Sequence, residues 1–257
     1  MRKLIRVDMS EGKVQVEELA EEYAALGGRG LTSGIVASEV PPLCHPLDPS
    51  NKLVVAAGLL AGTTCANSGR LSIGGKSPLT GGIKESNVGG NVAIKLGKLG
   101  IAGVVLEGQA PEGKLFYLLV NKDGVQLQPA NEFKGLKNYD LASKLQDKYG
   151  KKVGIVSIGP AGEMKFSAAS VAVTSTNGTP SRHAGRGGMG AIMGSKGMKA
   201  IVVESPRRVQ SIDCRLAARW FFYIFDHAFQ TLLQSCRLHL LFRFRIMFYF
   251  KGKMLFF

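Results

Sequence analysis

The chain has 257 residues, 45% of them hydrophobic, and carries 33 Lys and Arg against 19 Asp and Glu, a net charge of +14. That length and apolar content suffice for a packed core, in one large domain or two small ones. The positive balance does not point to nucleic acid, because in residues 1–205 the lysines are scattered and aromatics sparse, whereas a nucleic-acid surface interleaves a basic stripe with stacking rings.

The elements expected in chain order mix strands and helices. Residues 4–7 and 14–16 read as two short strands joined at Glu11 and Gly12, followed by helices over 20–26 and 31–39. Strands are expected at 52–57 and 70–73, a helix at 91–99, then strands at 103–107 and 115–121, being β-branched or apolar and bounded by Gly or Pro. A helix over 138–149, strands at 152–158 and 166–173, a helix over 189–196 and a strand at 200–203 complete the series. Strand and helix do not alternate strictly. The expected fold is α+β, a β-sheet base whose glycine-rich loops carry a ligand.

Composition changes at Pro206. Residues 1–205 hold 32 of the 33 glycines and carry 24 basic against 17 acidic residues; residues 206–257 hold ten of the 13 Phe, the single Trp, and 9 basic against 2 acidic residues. The domain division expected is therefore 1–205 and an atypical aromatic-rich tail, 206–257, read as frameshifted translation or an unrelated fusion after a truncated gene. Residues 216–233 of that tail contain Arg219, Asp226 and His227, and charge near the centre of a span of about 20 residues opposes membrane insertion, so no span is expected. Residues 242–250 alternate as an amphipathic strand would.

No apolar signal core follows Met1, and Cys44, Cys65, Cys214 and Cys236 are too few and dispersed for a disulfide framework. A reducing cytoplasm is the expected compartment. Cys65 reads as a small buried hydrophobe or as a reactive thiol near Arg70. Cys44 and His45 lie in a proline-bounded loop with no second ligand pair for a metal.

Three stretches concentrate glycine beside basic residues: GGRG at 27–30, SGRLSIGGKSPLTGGIKESNVGGN at 68–91, and RHAGRGGMGAIMGSKGMKAIVVE at 182–204. Glycine lets backbone N–H groups approach a ligand, and Arg182, Arg186, Lys196 and Lys199 add positive charge, a combination suited to a phosphate-bearing anion. Gly185, Gly187 and Gly190 also match G-x-G-x-x-G, with Glu204 at a later strand end, which is the pattern of a dinucleotide site. Against it, the polar stretch TSTNGTPSRH separates the preceding strand from the first glycine.

The motifs RLSIGGKSPLTGG, SNVGG, SIGPAGE and AGRGGMGAIMGSK, in that order, resemble the N-terminal domain of the aldehyde ferredoxin oxidoreductase family, tungsten or molybdenum bis-pterin enzymes. The resemblance covers residues 1–205. It implies cofactor contacts at Arg70, Asn87, Gly89, Gly90, Arg182, His183, Ala184, Gly185 and Arg186, with no catalytic side chain. It also implies a magnesium ion held by main-chain carbonyls near Asn87 and His183, bridging the two pterin phosphates. An Arg fork suits phosphate or pterin oxygens and Asn offers donor and acceptor to a heterocycle edge; the alternative for Arg70 and Arg186 is a surface salt bridge. The family's [4Fe-4S] cluster needs four clustered thiolates, which this chain is not expected to ligate. Oxidation of an aldehyde with ferredoxin as acceptor, and a homodimer, are implied for full-length relatives. The chain itself reads as a truncated cofactor-binding domain inactive alone, with a non-functional remnant or a dinucleotide-binding fragment as alternatives.

Overall fold

The structure, a computed structural model, describes residues 2–205. The second of the two units into which the chain divides, and with it the expected strand at 242–250, lies outside the described residues.

Among the described residues, twelve strands form two six-stranded mixed sheets. The first holds β1 (Lys3–Asp8), β2 (Lys13–Glu18), β3 (Leu53–Ala57), β4 (Leu71–Lys76), β5 (Ile83–Val88) and β6 (Ile101–Glu107), in the order β2-β1-β6-β3-β4-β5. The second holds β7 (Phe116–Asn121), β8 (Gly124–Pro129), β9 (Gly154–Ser157), β10 (Val171–Val173), β11 (Arg182–Ala184) and β12 (Met198–Val203), in the order β8-β7-β12-β9-β10-β11. The helices are α1 (Gly28–Glu39), α2 (Val92–Lys98), α3 (Asn138–Tyr149), α4 (Pro160–Glu163) and α5 (Met189–Ser195). The α+β class is as the sequence predicts.

The two sheets are one topology repeated. In each, an antiparallel hairpin (β1–β2, β7–β8) pairs in parallel with the last strand (β6, β12), which continues antiparallel through three more strands. The parallel pairs carry the same irregularity, skipping Ala102 in β6 and Lys199 in β12. A single 3-10 turn follows each hairpin, Glu21–Tyr23 and Asn131–Phe133, and each buries an aromatic ring, Tyr23 or Phe133, under the helix that comes next.

Alternation along the strands distributes the core into three layers. On β6, Val104 and Leu106 face the central cluster while Val105 faces the cluster of Leu31, Ile35 and Val36 on α1. On β12, Ile201 and Val203 face the centre while Val202 faces Leu141 and Leu145 of α3. Strands covered on both faces read as continuous apolar runs, which is why they were legible. Met189, Ile192 and Met193 of α5 and Val92, Ala93 and Leu96 of α2 join the central layer, and each fully buried Leu or Ile stabilises by about 1.5–3 kcal/mol.

Several expectations are corrected. The helix expected over 20–26 is only the 3-10 turn Glu21–Tyr23, because acidic Glu21 and Glu22 are exposed and only Tyr23 is buried. The strand expected at 166–173 is confined to β10, with Phe166 exposed at a turn. The strand over 152–158 shortens to β9, and that over 70–73 runs from Leu71 to Lys76. Most of the glycine-rich stretch 68–91 is the β4–β5 hairpin, and GGRG is the start of α1. Strands β5, β8 and β11 were not expected as strands.

Candidate functional site

The residues singled out by sequence fall on two equivalent strand edges. Arg70 immediately precedes β4, and Asn87 is the penultimate residue of β5, where it pairs with Ser72. Arg70 Nε donates to Asn87 Oδ1 at 2.5 Å, and Asn87 Nδ2 donates to Ser72 Oγ at 3.2 Å. Gly89 follows β5, and a Cβ there would stand 3.3 Å from Arg70 Nη1. The guanidinium therefore lies over Gly89, anchored by one edge.

In the second half Ser170 immediately precedes β10, and His183 is the middle residue of β11, paired with Ala172. Ser170 Oγ and His183 Nδ1 are 3.1 Å apart. Ser170 thus occupies the position of Arg70, His183 that of Asn87, and Gly185 that of Gly89. A Cβ at Gly185 would meet nothing within 4 Å. Arg182, His183, Gly185 and Arg186 are exposed and Ala184 is buried.

Strands β5 and β11 end their sheets, so each has an outer edge whose main-chain groups the ladder leaves unused. They lie next to each other, and the Arg186 N–H donates to Ser86 Oγ on β5 at 3.1 Å. Ser77 Oγ donates to the Gly187 carbonyl at 2.8 Å in a buried contact. Gly90, at φ +137°, is held against the second sheet, where any Cβ would come within 2.5 Å of the Thr174 carbonyl oxygen. Only glycine permits both that dihedral and that approach. The two edges are in this way fixed to one another by one buried and one half-buried hydrogen bond, and all nine predicted contact residues gather along them.

Lys196 and Lys199 do not join this group. Lys196 is fully buried and its Nζ donates to the carbonyls of Asp48 and Pro49 at 2.9 and 3.0 Å. Burial, opposed by Asp48, lowers its pKa to about 8. Lys199, also fully buried, donates to the Leu136 carbonyl at 2.9 Å and to Glu163. Both charges are spent inside the fold, and the cationic side chains left at the edges are Arg70, Arg182, Arg186 and the half-buried Lys84 of β5. Arg29, on the first turn of α1, is 75% exposed and meets Glu85 Oε2 at 3.2 Å, while Glu85 is 5% exposed. The hollow of about 440 Å³ between the 109–115 loop and the end of α5 is lined by none of the predicted residues.

Among the described residues no three His, Cys, Asp or Glu side chains converge as a metal site. Donors for an ion at these edges would be main-chain carbonyls, which suit a hard cation such as magnesium. His45 Nδ1 accepts from the Leu47 N–H, an ordinary loop contact, and neither Cys44 nor Cys65 is in a disulfide. Among the described residues no helix is long and apolar enough to cross a membrane.

The dinucleotide pattern does not survive the topology. β11 runs antiparallel to β10, β10 to β9, and β9 to β12, so the strands flanking α5 point in opposite directions. A dinucleotide-binding βαβ unit requires them parallel. Ser170, the partner of His183, was missed from sequence; the signal that finds it is the repeat of the strand topology.

Comparison with known proteins identifies the family. Residues 4–205 match the family described as aldehyde ferredoxin oxidoreductase, N-terminal domain. The tungsten-containing aldehyde ferredoxin oxidoreductase of Pyrococcus furiosus is 40% identical over 216 residues, covering 82% of this chain and 34% of that protein. The enzyme of the same name from Thermococcus kodakarensis is 38% identical with the same coverage. Among solved structures, the active-site complex BamBC of benzoyl coenzyme A reductase with 1,5-dienoyl-CoA superposes with a TM-score of 0.74 at 31% identity, over 81% of this chain and 32% of that one. The chain spans about a third of the length of the curated relatives it matches. It belongs to the aldehyde ferredoxin oxidoreductase family, of which residues 4–205 are the N-terminal domain.

Proposed function

We propose that residues 4–205 are the base that grips a tungsten or molybdenum bis-pterin cofactor along the edges of β5 and β11, for an oxidoreductase that oxidises aldehydes with ferredoxin as acceptor. The observation that carries this reading is the pair of equivalent half-sites, Arg70–Asn87–Gly89 and Ser170–His183–Gly185, on adjacent sheet edges. A ligand with two like halves is matched by a domain with two like edges. When bound, such a cofactor supplies two-electron redox chemistry at its metal.

The chain's own residues bind and orient. Arg70, held by Asn87, presents its planar fork to phosphate or pterin oxygens, and exposed Arg182 and Arg186 add charge to the second edge. Main-chain carbonyls at Asn87 and His183 would hold a magnesium ion, which would neutralise phosphate charge. Gly185, where a Cβ would meet nothing within 4 Å, keeps the second edge low so that the ligand lies against the backbone, while Gly89 seats the Arg70 guanidinium and Gly90 allows the close approach of the second sheet. By the family resemblance, thiolates for a [4Fe-4S] cluster and the substrate pocket come from later domains, ferredoxin and a second copy are partners of the full-length protein, and the working protein is cytoplasmic. The 257-residue polypeptide by itself does not turn over aldehydes.

The test is cofactor release. The full chain is produced in a host supplied with tungstate or molybdate, purified anaerobically and acid-denatured, and oxidised pterin is quantified by fluorescence. Two pterins per chain are expected, with no viologen-linked aldehyde oxidation. A chain that carries no pterin overturns the reading, and turnover by this polypeptide overturns its assignment as a binding base alone.

A further inference from the structure

The two half-sites share backbone register but not side chains, and the difference assigns a role to Ser170. In the first half the guanidinium of Arg70 fills the space over Gly89 and is held by Asn87 Oδ1. In the second half the space over Gly185 is open, and the residue at the Arg70 position is a serine too short to reach across it. Its hydroxyl instead meets His183 Nδ1 at 3.1 Å. His183 is exposed, and Nε2 makes no hydrogen bond to the described residues.

An imidazole that accepts at Nδ1 carries its proton on Nε2. A serine hydroxyl that donates to Nδ1 therefore leaves an N–H donor on the far side of the ring, away from the sheet edge it is anchored to. We propose that Ser170 is a positioning residue that fixes His183 as the Nε2–H tautomer, and that this N–H donates to an oxyanion of the second half of the ligand, the task Arg70 performs in the first. The inference rests on the bis-pterin reading above and extends it from the His183 main chain to its side chain. The first half uses a charged fork and the second a neutral donor, so the site grips its two halves unequally.

Two measurements on the full chain test this. With ¹⁵N-labelled histidine, His183 is expected to show a protonated Nε2 and an unprotonated Nδ1, and Ser170→Ala is expected to turn that signature into a mixture of tautomers, while Ser170→Thr restores it. A protonated Nδ1 in the wild-type chain overturns the proposal. In the second measurement, pterin content under limiting tungstate is expected to fall about ten-fold in Arg70→Ala and in His183→Ala, the loss of one hydrogen bond to a charged group. Ser170→Ala should fall by less, and the double variant Ser170→Arg with His183→Asn, which copies the first half into the second, should keep wild-type content. Wild-type chain without pterin overturns the cofactor reading and this proposal together. Pterin lost in Arg70→Ala but retained in His183→Ala leaves the cofactor reading standing and overturns the proposal, as does a double variant that holds no more pterin than His183→Ala.

Discussion

Thr174 donates its hydroxyl to the Asn91 amide oxygen at 2.8 Å, joining the end of β10 in one sheet to the start of α2, which follows β5 of the other. The same hydroxyl oxygen accepts from the Ile155 N–H at 2.9 Å, and the Asn91 N–H donates to the Thr174 carbonyl at 3.0 Å. Thr174 is fully buried. These bonds hold the two candidate half-sites in mutual register.

Thr174→Val keeps the shape and removes the hydroxyl, leaving the Ile155 N–H without its acceptor. A loss of about 2 kcal/mol is expected, from the desolvation of a buried group left unpaired. Urea unfolding should show a lower midpoint at unchanged slope. An unchanged midpoint would mean that the hydroxyl contributes nothing to joining the sheets.

Lys196 makes stability depend on pH in the alkaline range. Burial lowers its folded pKa to about 8 from 10.5, so between those values the unfolded chain holds a proton that the folded chain has released. Its contribution is complete above pH 10.5 and is lost as pH falls through about 8. Comparing unfolding midpoints at the two ends of this window, wild type should gain stability towards the alkaline end relative to Lys196→Met. Parallel curves for the two proteins would remove Lys196 as the cause.

Glu39 governs the acid side. Arg6 donates to both of its carboxylate oxygens at 2.7 and 2.8 Å and Lys52 to one at 2.7 Å, and the Arg6 hydrogen bonds above all hold its pKa down at about 2 against 4.5. The stabilisation is complete above pH 4.5 and is lost as pH falls through about 2. Because the network is partly exposed, solvent screening reduces its worth to about 1 kcal/mol. Glu39→Gln should lower the unfolding free energy by that amount at neutral pH, read from urea midpoints, and converge with wild type near pH 2. Equal midpoints at neutral pH would refute the assignment.

Composition alone supports a solubility prediction. With ten of the 13 Phe and only 2 acidic residues after Ser205, residues 206–257 favour association. Ending the chain at Ser205 should raise the soluble fraction on expression; a lower soluble yield would contradict it.

The elements legible in the sequence are those whose residues bury on a simple period. Asn138–Tyr149 was read to the residue because Leu141, Ala142 and Leu145 form one apolar stripe and Gly150, at φ +94°, stops it. Strands β3, β6 and β12 were legible because both their faces are covered. β5 was not, since IKESNV is mostly polar and alternates no apolar face, and β11 has only three residues, exposed at Arg182 and His183. Candidate site residues were named from motif resemblance, yet their grouping as two half-sites was invisible. Arg70 and Ser170, or Asn87 and His183, share no side-chain chemistry; they are equivalent only through the register of two repeated sheets. Charge showed the same division. Lys196 and Lys199 looked like Arg182 and Arg186 in the sequence, and only the folded chain, which brings distant carbonyls and Glu163 against their ammonium groups, decided that two cations are internal and two are exposed at β11.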